Sequence, residues 1–209
     1  MPKKPQKTKI KAVLFDLGKV LLHFDFTPAF RKLSKRGNAS ARDIEAYFVQ
    51  SGLEVLYDGG RISSSAFYRS VKKALGLRVS YRQFRLIWNH IFTPVTPMIA
   101  LVSALRKRGF RLVLVSNTNP MHFEFAKKKY AVLRKFHHCI VSYKEKVRKP
   151  DERIYRAAIR ACRAKPHEIF YIDDRQDLTE AAQEIGLNVF TYKNDFDELK
   201  QALKKVRLL

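Results

Sequence analysis

Residues 10–26 read IKAVLFDLGKVLLHFDF. The apolar run Ala12-Val13-Leu14-Phe15 is too short for a helix and is flanked by lysines, which predicts a buried strand. The run stops at Asp16 and turns at Leu17-Gly18. An isolated Asp there is most simply a loop cap. A carboxylate at the C-terminal end of a buried strand also lies where open α/β sheets carry their chemistry. Asp16 has to be judged by what the rest of the chain brings to the same edge.

Downstream, Thr27-Pro28 reads as the N-cap and first residue of a helix to about Arg36. Ser40 opens a second helix, with Ile44, Tyr47, Phe48 and Leu53 at helical spacing and Gly52 at its end, and Asp58-Gly59-Gly60 is a turn. Ser63 opens a third helix, striped by Phe67, Val71, Ala74 and Leu75, and Ser80 caps a fourth with Phe84, Ile87, Trp88 and Ile91 facing inward. No strand is predicted between 27 and 92. From Thr93 the pattern changes. A helix over Pro97–Lys107 ends at Gly109, and Arg111–Val115 is a strand running into Ser116-Asn117-Thr118-Asn119. Helix Pro120–Tyr130, strand His138–Val141, helix Asp151–Arg163 and strand Ile169–Ile172 follow, the last stopping at Asp173-Asp174. Helix Leu178–Ile185, strand Asn188–Thr191 and a terminal helix capped by Asn194 complete the chain. Strands alternating with helices imply a parallel, Rossmann-like sheet covered by helices, with an inserted α-helical cap. The expected division is a core of residues 1–26 and 93–209 and a cap of residues 27–92.

The chain has 209 residues, enough for one domain carrying an insertion, and 46% are hydrophobic. No apolar run approaches the roughly 18 residues of a membrane span, and the basic N-terminus reads as a solvated tail including Lys3, Lys4 and Lys7. Two cysteines, Cys139 and Cys162, have no metal-ligand spacing. Cytoplasm is the default location, and the oligomeric state stays open. The 42 Lys+Arg against 19 Asp+Glu give a net charge of +23, a field that attracts anionic substrates and is compatible with nucleic acid. The basic residues are dispersed, with no RNA-binding motif or aromatic platform beside them, so nucleic acid is not favoured.

Three strand ends carry matched polar groups: Asp16, Ser116-Asn117 and Asp173-Asp174, with Lys149 just before a helix. In a parallel sheet these ends share one edge. Two carboxylates ~4 Å apart repel by ~4 kcal/mol at an effective dielectric of ~20. A hard divalent cation relieves that repulsion, and carboxylates plus waters suit Mg2+. Lys149, Ser116 and Asn117 could hold an anionic group. Carboxylate nucleophile, Mg2+, lysine and hydroxyl together specify phosphoryl transfer through an aspartyl-phosphate.

The segments FDLGKVL, VLVSNTN, RKPDERIY and YIDDRQD resemble, in order and spacing, the four motifs of the haloacid dehalogenase superfamily, and the helical insertion is similar to its small cap. FDLGKVLLHFDF most resembles the glucose-1-phosphatase type of sugar phosphatases. The resemblance implies that Asp16 is the nucleophile and that Ser116 and Lys149 are catalytic groups holding the phosphoryl group. It implies further that Asp16, the Gly18 carbonyl, Asp173 and Asp174 hold Mg2+, and that the substrate is a small phosphorylated molecule. Most of these phosphatases carry a second Asp two residues after the nucleophile, as general acid and base. That position is Gly18 here, as in the glucose-1-phosphatase-like branch. Water or His23 could substitute, although His23 fits a loop or hinge better. Lys19 replaces the usual Asn and adds a cation for substrate binding, and Leu178 stands where an Asn is common. Phe67, Trp88 and His90 are cap candidates for substrate selection, Trp88 being the kind of residue more often found in a core. The expectation is a Mg2+-dependent phosphatase of small phosphomonoesters, sugar phosphates above all. The alternatives are a catalytically weak relative that binds RNA or a partner through its basic surface, and, behind it, a 2-haloacid dehalogenase.

Overall fold

The computed structural model describes residues 9–209. In chain order the elements are β1 (Ala12–Phe15), β2 (Leu22–Phe24), α1 (Thr27–Ser34), α2 (Ala41–Ser51), α3 (Leu53–Asp58), α4 (Ser64–Ala74), α5 (Tyr81–Asn89) and β3 (Phe92–Pro94). They continue with α6 (Thr96–Lys107), β4 (Arg111–Ser116), α7 (Pro120–Lys129), β5 (His138–Val141), α8 (Ser142–Glu145) and α9 (Glu152–Cys162). The last are β6 (Ile169–Asp173), α10 (Gln176–Glu184), β7 (Asn188–Thr191) and α11 (Phe196–Lys205). The basic tail expected over Lys3, Lys4 and Lys7 lies outside the described residues.

Five parallel strands form one sheet in the order β5-β4-β1-β6-β7. A strand buried on both faces has no polar positions to alternate with, which is why β1 reads as an unbroken apolar run. Its side chains still alternate. Val13 and Phe15 pack with Leu112, Leu114, Phe170 and Ile172 on one face, and Ala12 and Leu14 pack with Val113, Val115 and Tyr171 on the other. In register, Phe15 sits opposite Leu114 on β4 and Ile172 on β6. Asp16, Ser116 and Asp173 therefore leave the sheet at the same edge.

Between β2 and β3 lie α1 to α5, which gather Phe30, Phe48, Phe67, Phe84 and Trp88 into a separate apolar cluster joined by Met121 of α7. Reciprocal caps start two of these helices: Ser40 with Asp43 on α2, and Ser80 with Gln83 on α5. The chain enters and leaves through an antiparallel ribbon in which His23 pairs with Thr93 and Phe24 with Phe92. The sequence does not announce this ribbon, because its strands have three residues each and little alternation. His23 lies on it, exposed.

Four local expectations are corrected. Thr27 is the first helical residue rather than the cap, and its N–H is taken by the Asp25 carboxylate at 2.8 Å. Leu53 and Asp58, expected on the second helix's stripe and in a glycine turn, belong instead to a separate helix α3, because Gly52, at φ 62°, ends α2 and lets a new helix start at once. Asp195, not Asn194, caps α11 by accepting the Glu198 N–H. Phe67 and Trp88 are fully buried among the helices, so they are core residues and not substrate contacts.

Among the described residues no helix is long and apolar enough to cross a membrane. Many of the cations occupy last helical turns: Lys72 and Lys73 on α4, Lys127 to Lys129 on α7, Lys204 and Lys205 on α11. There they complement the helix dipoles and stay spread over the surface.

Candidate active site

At the C-terminal edge of the sheet Lys149 is buried with its ammonium between two carboxylates. Nζ lies 2.7 Å from Asp16 Oδ1 and 2.5 Å from Asp173 Oδ2, with the Tyr171 hydroxyl at 3.1 Å. Tyr171 in turn donates to Asp173. The two share one face of β6 because they are two residues apart, a spacing that the sequence itself carries. Burial alone would depress the Lys149 ammonium, but the charges of Asp16 and Asp173 more than offset it and hold it above the usual lysine value.

Asp16 is pushed up to about 7, first by burial and further by Asp173, against the lowering charge of Lys149. Asp174, less buried, is raised by the same burial and by Asp173. Oxygens of Asp16, Asp173 and Asp174 come within 4.8 Å of one another. Three carboxylates face one buried ammonium, so the cluster carries excess negative charge and only oxygen donors. That donor set fits a hard divalent cation such as Mg2+.

Around this cluster opens a cavity of about 310 Å³ lined by Gly18, Lys19, Asp58, Asn117, Arg148 and Leu178, among others. Leu178 gives it an apolar wall. Lys19 stands at the rim, mostly exposed, 4.0 Å from Asp174 and 5.8 Å from the centre of the Phe24 ring. Asn117 spends its side chain on Lys149, donating Nδ2–H to the Lys149 carbonyl at 2.9 Å and accepting its N–H at 2.8 Å. Ser116 is buried beside it, its hydroxyl making only a long 3.5 Å contact to the Asn117 carbonyl. A Cβ at Gly18 would meet the Phe24 ring at 2.9 Å, so that ring occupies the place of a side chain there and would have to shift to admit one.

A second cavity, of about 170 Å³, shares Gly18, Phe24, Asp58 and Asn117 with the first. Leu17, Gly18, Ser116 and Asn117 line its floor, Phe24, Phe26 and Phe92 its walls, and Glu54, Asp58 and His122 its polar positions. His122 is buried against Trp88, Phe26 and Phe92, with both ring nitrogens unpartnered among the described residues and its pKa pressed down to about 3 by burial. Burial lifts Glu54 to about 7 and Asp58 to about 6. Glu54 and His122 are not among the residues the sequence singles out, and Asp58 is read there only as part of a turn. Without α3 the four-residue spacing that puts Glu54 and Asp58 on one helix face goes unseen.

Helix α3 is fastened to the sheet edge. Asn119 Nδ2 donates to Asp58 Oδ1 at 3.1 Å, Ser142 Oγ donates to the Asp58 carbonyl at 2.6 Å, and Lys146 Nζ donates to the Gly60 carbonyl at 2.8 Å. Gly60 permits this approach, because a Cβ there would lie 2.2 Å from the Tyr143 carbonyl and its φ is +63°.

Residues 10–186 match the family model described as a hydrolase, haloacid dehalogenase-like hydrolase. The chain is 24% identical to the D-ribitol-5-phosphate phosphatase of Bacteroides thetaiotaomicron over 90% of its own length and 94% of that protein's. A haloacid dehalogenase family enzyme from the same organism, solved in complex with magnesium and inorganic phosphate, superposes with a TM-score of 0.79 at 28% identity, covering 91% of this chain and 98% of that one. A HAD-like family hydrolase structure from Porphyromonas gingivalis gives a TM-score of 0.79 at 25% identity over 94% of this chain and 99% of that one.

Proposed function

The chain belongs to the haloacid dehalogenase-like hydrolases, and from that premise we propose that it is a Mg2+-dependent phosphatase of small phosphomonoesters, sugar or polyol phosphates, acting through an aspartyl-phosphate. The observation that carries the proposal is the buried Lys149 ammonium held between Asp16 and Asp173 at the sheet edge. In this reading Asp16 supplies the attacking carboxylate oxygen. Lys149 orients Asp16 and draws the phosphoryl oxygens toward it, and the Ser116 hydroxyl donates to one of them. Asp16, Asp173, Asp174 and the Gly18 carbonyl would hold Mg2+, which when bound would neutralise charge on carboxylates and phosphoryl group alike. The relatives named for a phosphatase and solved with magnesium and phosphate support the same chemistry.

The adjoining cavity, about 170 Å³ and partly open to solvent, is where the rest of the substrate would lie. Its aromatic walls and its carboxylates suit a chain of hydroxyls, and residues 27–92 act as the cap that closes it. The Asp173-Asp174 pair, which suits a metal, argues against a 2-haloacid dehalogenase, and the dispersed cations do not favour nucleic acid. With two free thiols, we assign the protein to the cytoplasm.

A panel of phosphomonoesters tests this with released phosphate as the readout. Five- and six-carbon sugar and polyol phosphates should be cleaved, and nucleoside monophosphates should not. Preference for nucleotides would overturn the sugar-phosphate reading.

A further inference from the structure

Cleaving an alkyl phosphate leaves an alkoxide, which departs readily only if a proton reaches its oxygen as the P–O bond breaks. None of the groups assigned above can give one. Lys149 is locked between carboxylates, Ser116 faces the phosphoryl group, and position 18 has no side chain, its place being taken by the Phe24 ring. The donor has to stand where the phosphoryl cavity meets the cavity for the rest of the substrate. Gly18, Phe24, Asp58 and Asn117 line both cavities. Of the four, Asp58 alone has an ionisable side chain.

We infer that Asp58, reaching the sheet edge from helix α3, is the proton donor to the leaving-group oxygen and takes over the task that Gly18 cannot perform. The inference rests on the phosphatase reading. In the first half-reaction an Asp16 oxygen bonds to phosphorus while the P–O bond to the alcohol breaks, and the Asp58 proton goes to the departing oxygen. In the second half-reaction a water attacks phosphorus and gives a proton to the Asp58 carboxylate, and the P–O bond to Asp16 breaks. Inorganic phosphate leaves, with Asp16 ionised and Asp58 protonated as at the start.

Asp58 is built for a fixed position. Its carboxyl is held by Asn119, in the loop after β4, and its carbonyl by Ser142, at the start of α8, so both side chain and backbone are anchored. Desolvation raises it to about 6, against the lowering effects of the Asn119 hydrogen bond and the Arg148 charge. Near neutrality it therefore still carries a proton part of the time. Glu54, one turn earlier on the same helix, lines the leaving-group cavity but not the phosphoryl cavity.

The test compares Asp58→Asn with wild type, both with Mg2+, on D-ribitol 5-phosphate and on p-nitrophenyl phosphate, whose leaving group departs as a stable anion. Asparagine keeps an acceptor for Asn119 but has no acidic proton. The kcat on the alkyl phosphate should fall ~10²–10⁴-fold, and the fall on the aryl ester should be at least ~tenfold smaller. Should the variant fold poorly, wild-type kcat/KM across a series of alkyl and aryl phosphates gives a second reading, expected to depend weakly on leaving-group acidity. Equal losses on both esters, a change in KM alone, or a steep wild-type dependence would overturn the assignment while leaving the phosphatase intact. A wild type inactive on every ester would overturn the phosphatase reading and this inference with it.

Discussion

Asn117 and Lys149 clasp each other through two hydrogen bonds, the amide of one against the main-chain N–H and carbonyl of the other. The clasp sets where the Lys149 side chain starts, and so where its ammonium meets Asp16. Asn117→Ala should lower stability by ~1–3 kcal/mol, because it strands two main-chain groups, and should slow phosphate release from any accepted ester. Asn117→Asp keeps the acceptor and loses the donor, and should fall between. Urea unfolding and initial rates on the three proteins check the order. An alanine variant indistinguishable from wild type would deny the clasp a role.

Lys149→Met removes the cation held between Asp16 and Asp173. Breaking a buried pair from one side costs ~3–5 kcal/mol, and the carboxylates left behind repel. Added MgCl2 should then raise the urea midpoint of the variant more than that of wild type. Equal shifts would contradict the charge balance argued for the cluster.

Gly18→Ala brings a Cβ against the Phe24 ring. Because that ring is partly exposed and can swing aside, the expected cost is ~1–2 kcal/mol. Phe24→Leu should recover most of it, and a thermal-denaturation double-mutant cycle reads the coupling. Additive effects would show that Phe24 does not fill the missing side chain's place.

Burial holds Asp58 at about 6 and Glu54 at about 7, against ordinary carboxylate values near 4. A carboxyl raised in the folded state costs nothing below its unfolded pKa, where it is protonated in both states. The cost grows as pH climbs toward the folded value and is full above it. Asp58→Asn should therefore raise the Tm at pH 8, by an amount worth on the order of 1–3 kcal/mol, and leave it nearly the same at pH 4. Calorimetry at the two pH values checks this, and a loss of Tm at both would contradict it.

Much of the sheet edge was legible in the sequence, because a parallel strand buried on both faces is a plain apolar run with its first polar residue at the edge. That rule places Asp16, Ser116 and Asp173 without further help. Lys149 follows no such period, and its arrival depends on the loop before α9 and on Asn117. Helix α3 was hidden by Gly52, which ends one helix and begins another within a residue. Asp58 therefore looked like part of a glycine turn. The ribbon of β2 and β3 is too short to show a period, and Trp88 stacking on His122 is a tertiary event that no local pattern encodes.

The central claim is that Asp16 is a nucleophile served by Mg2+, and p-nitrophenyl phosphate hydrolysis by wild type and Asp16→Asn, each with Mg2+ and with EDTA, tests it most directly. That leaving group needs no proton, so the reading does not depend on Asp58. Hydrolysis by wild type with Mg2+, lost in EDTA and lost in the variant under both conditions, is the predicted result. Hydrolysis surviving Asp16→Asn, or a folded wild type inactive at every Mg2+ concentration, would contradict the account.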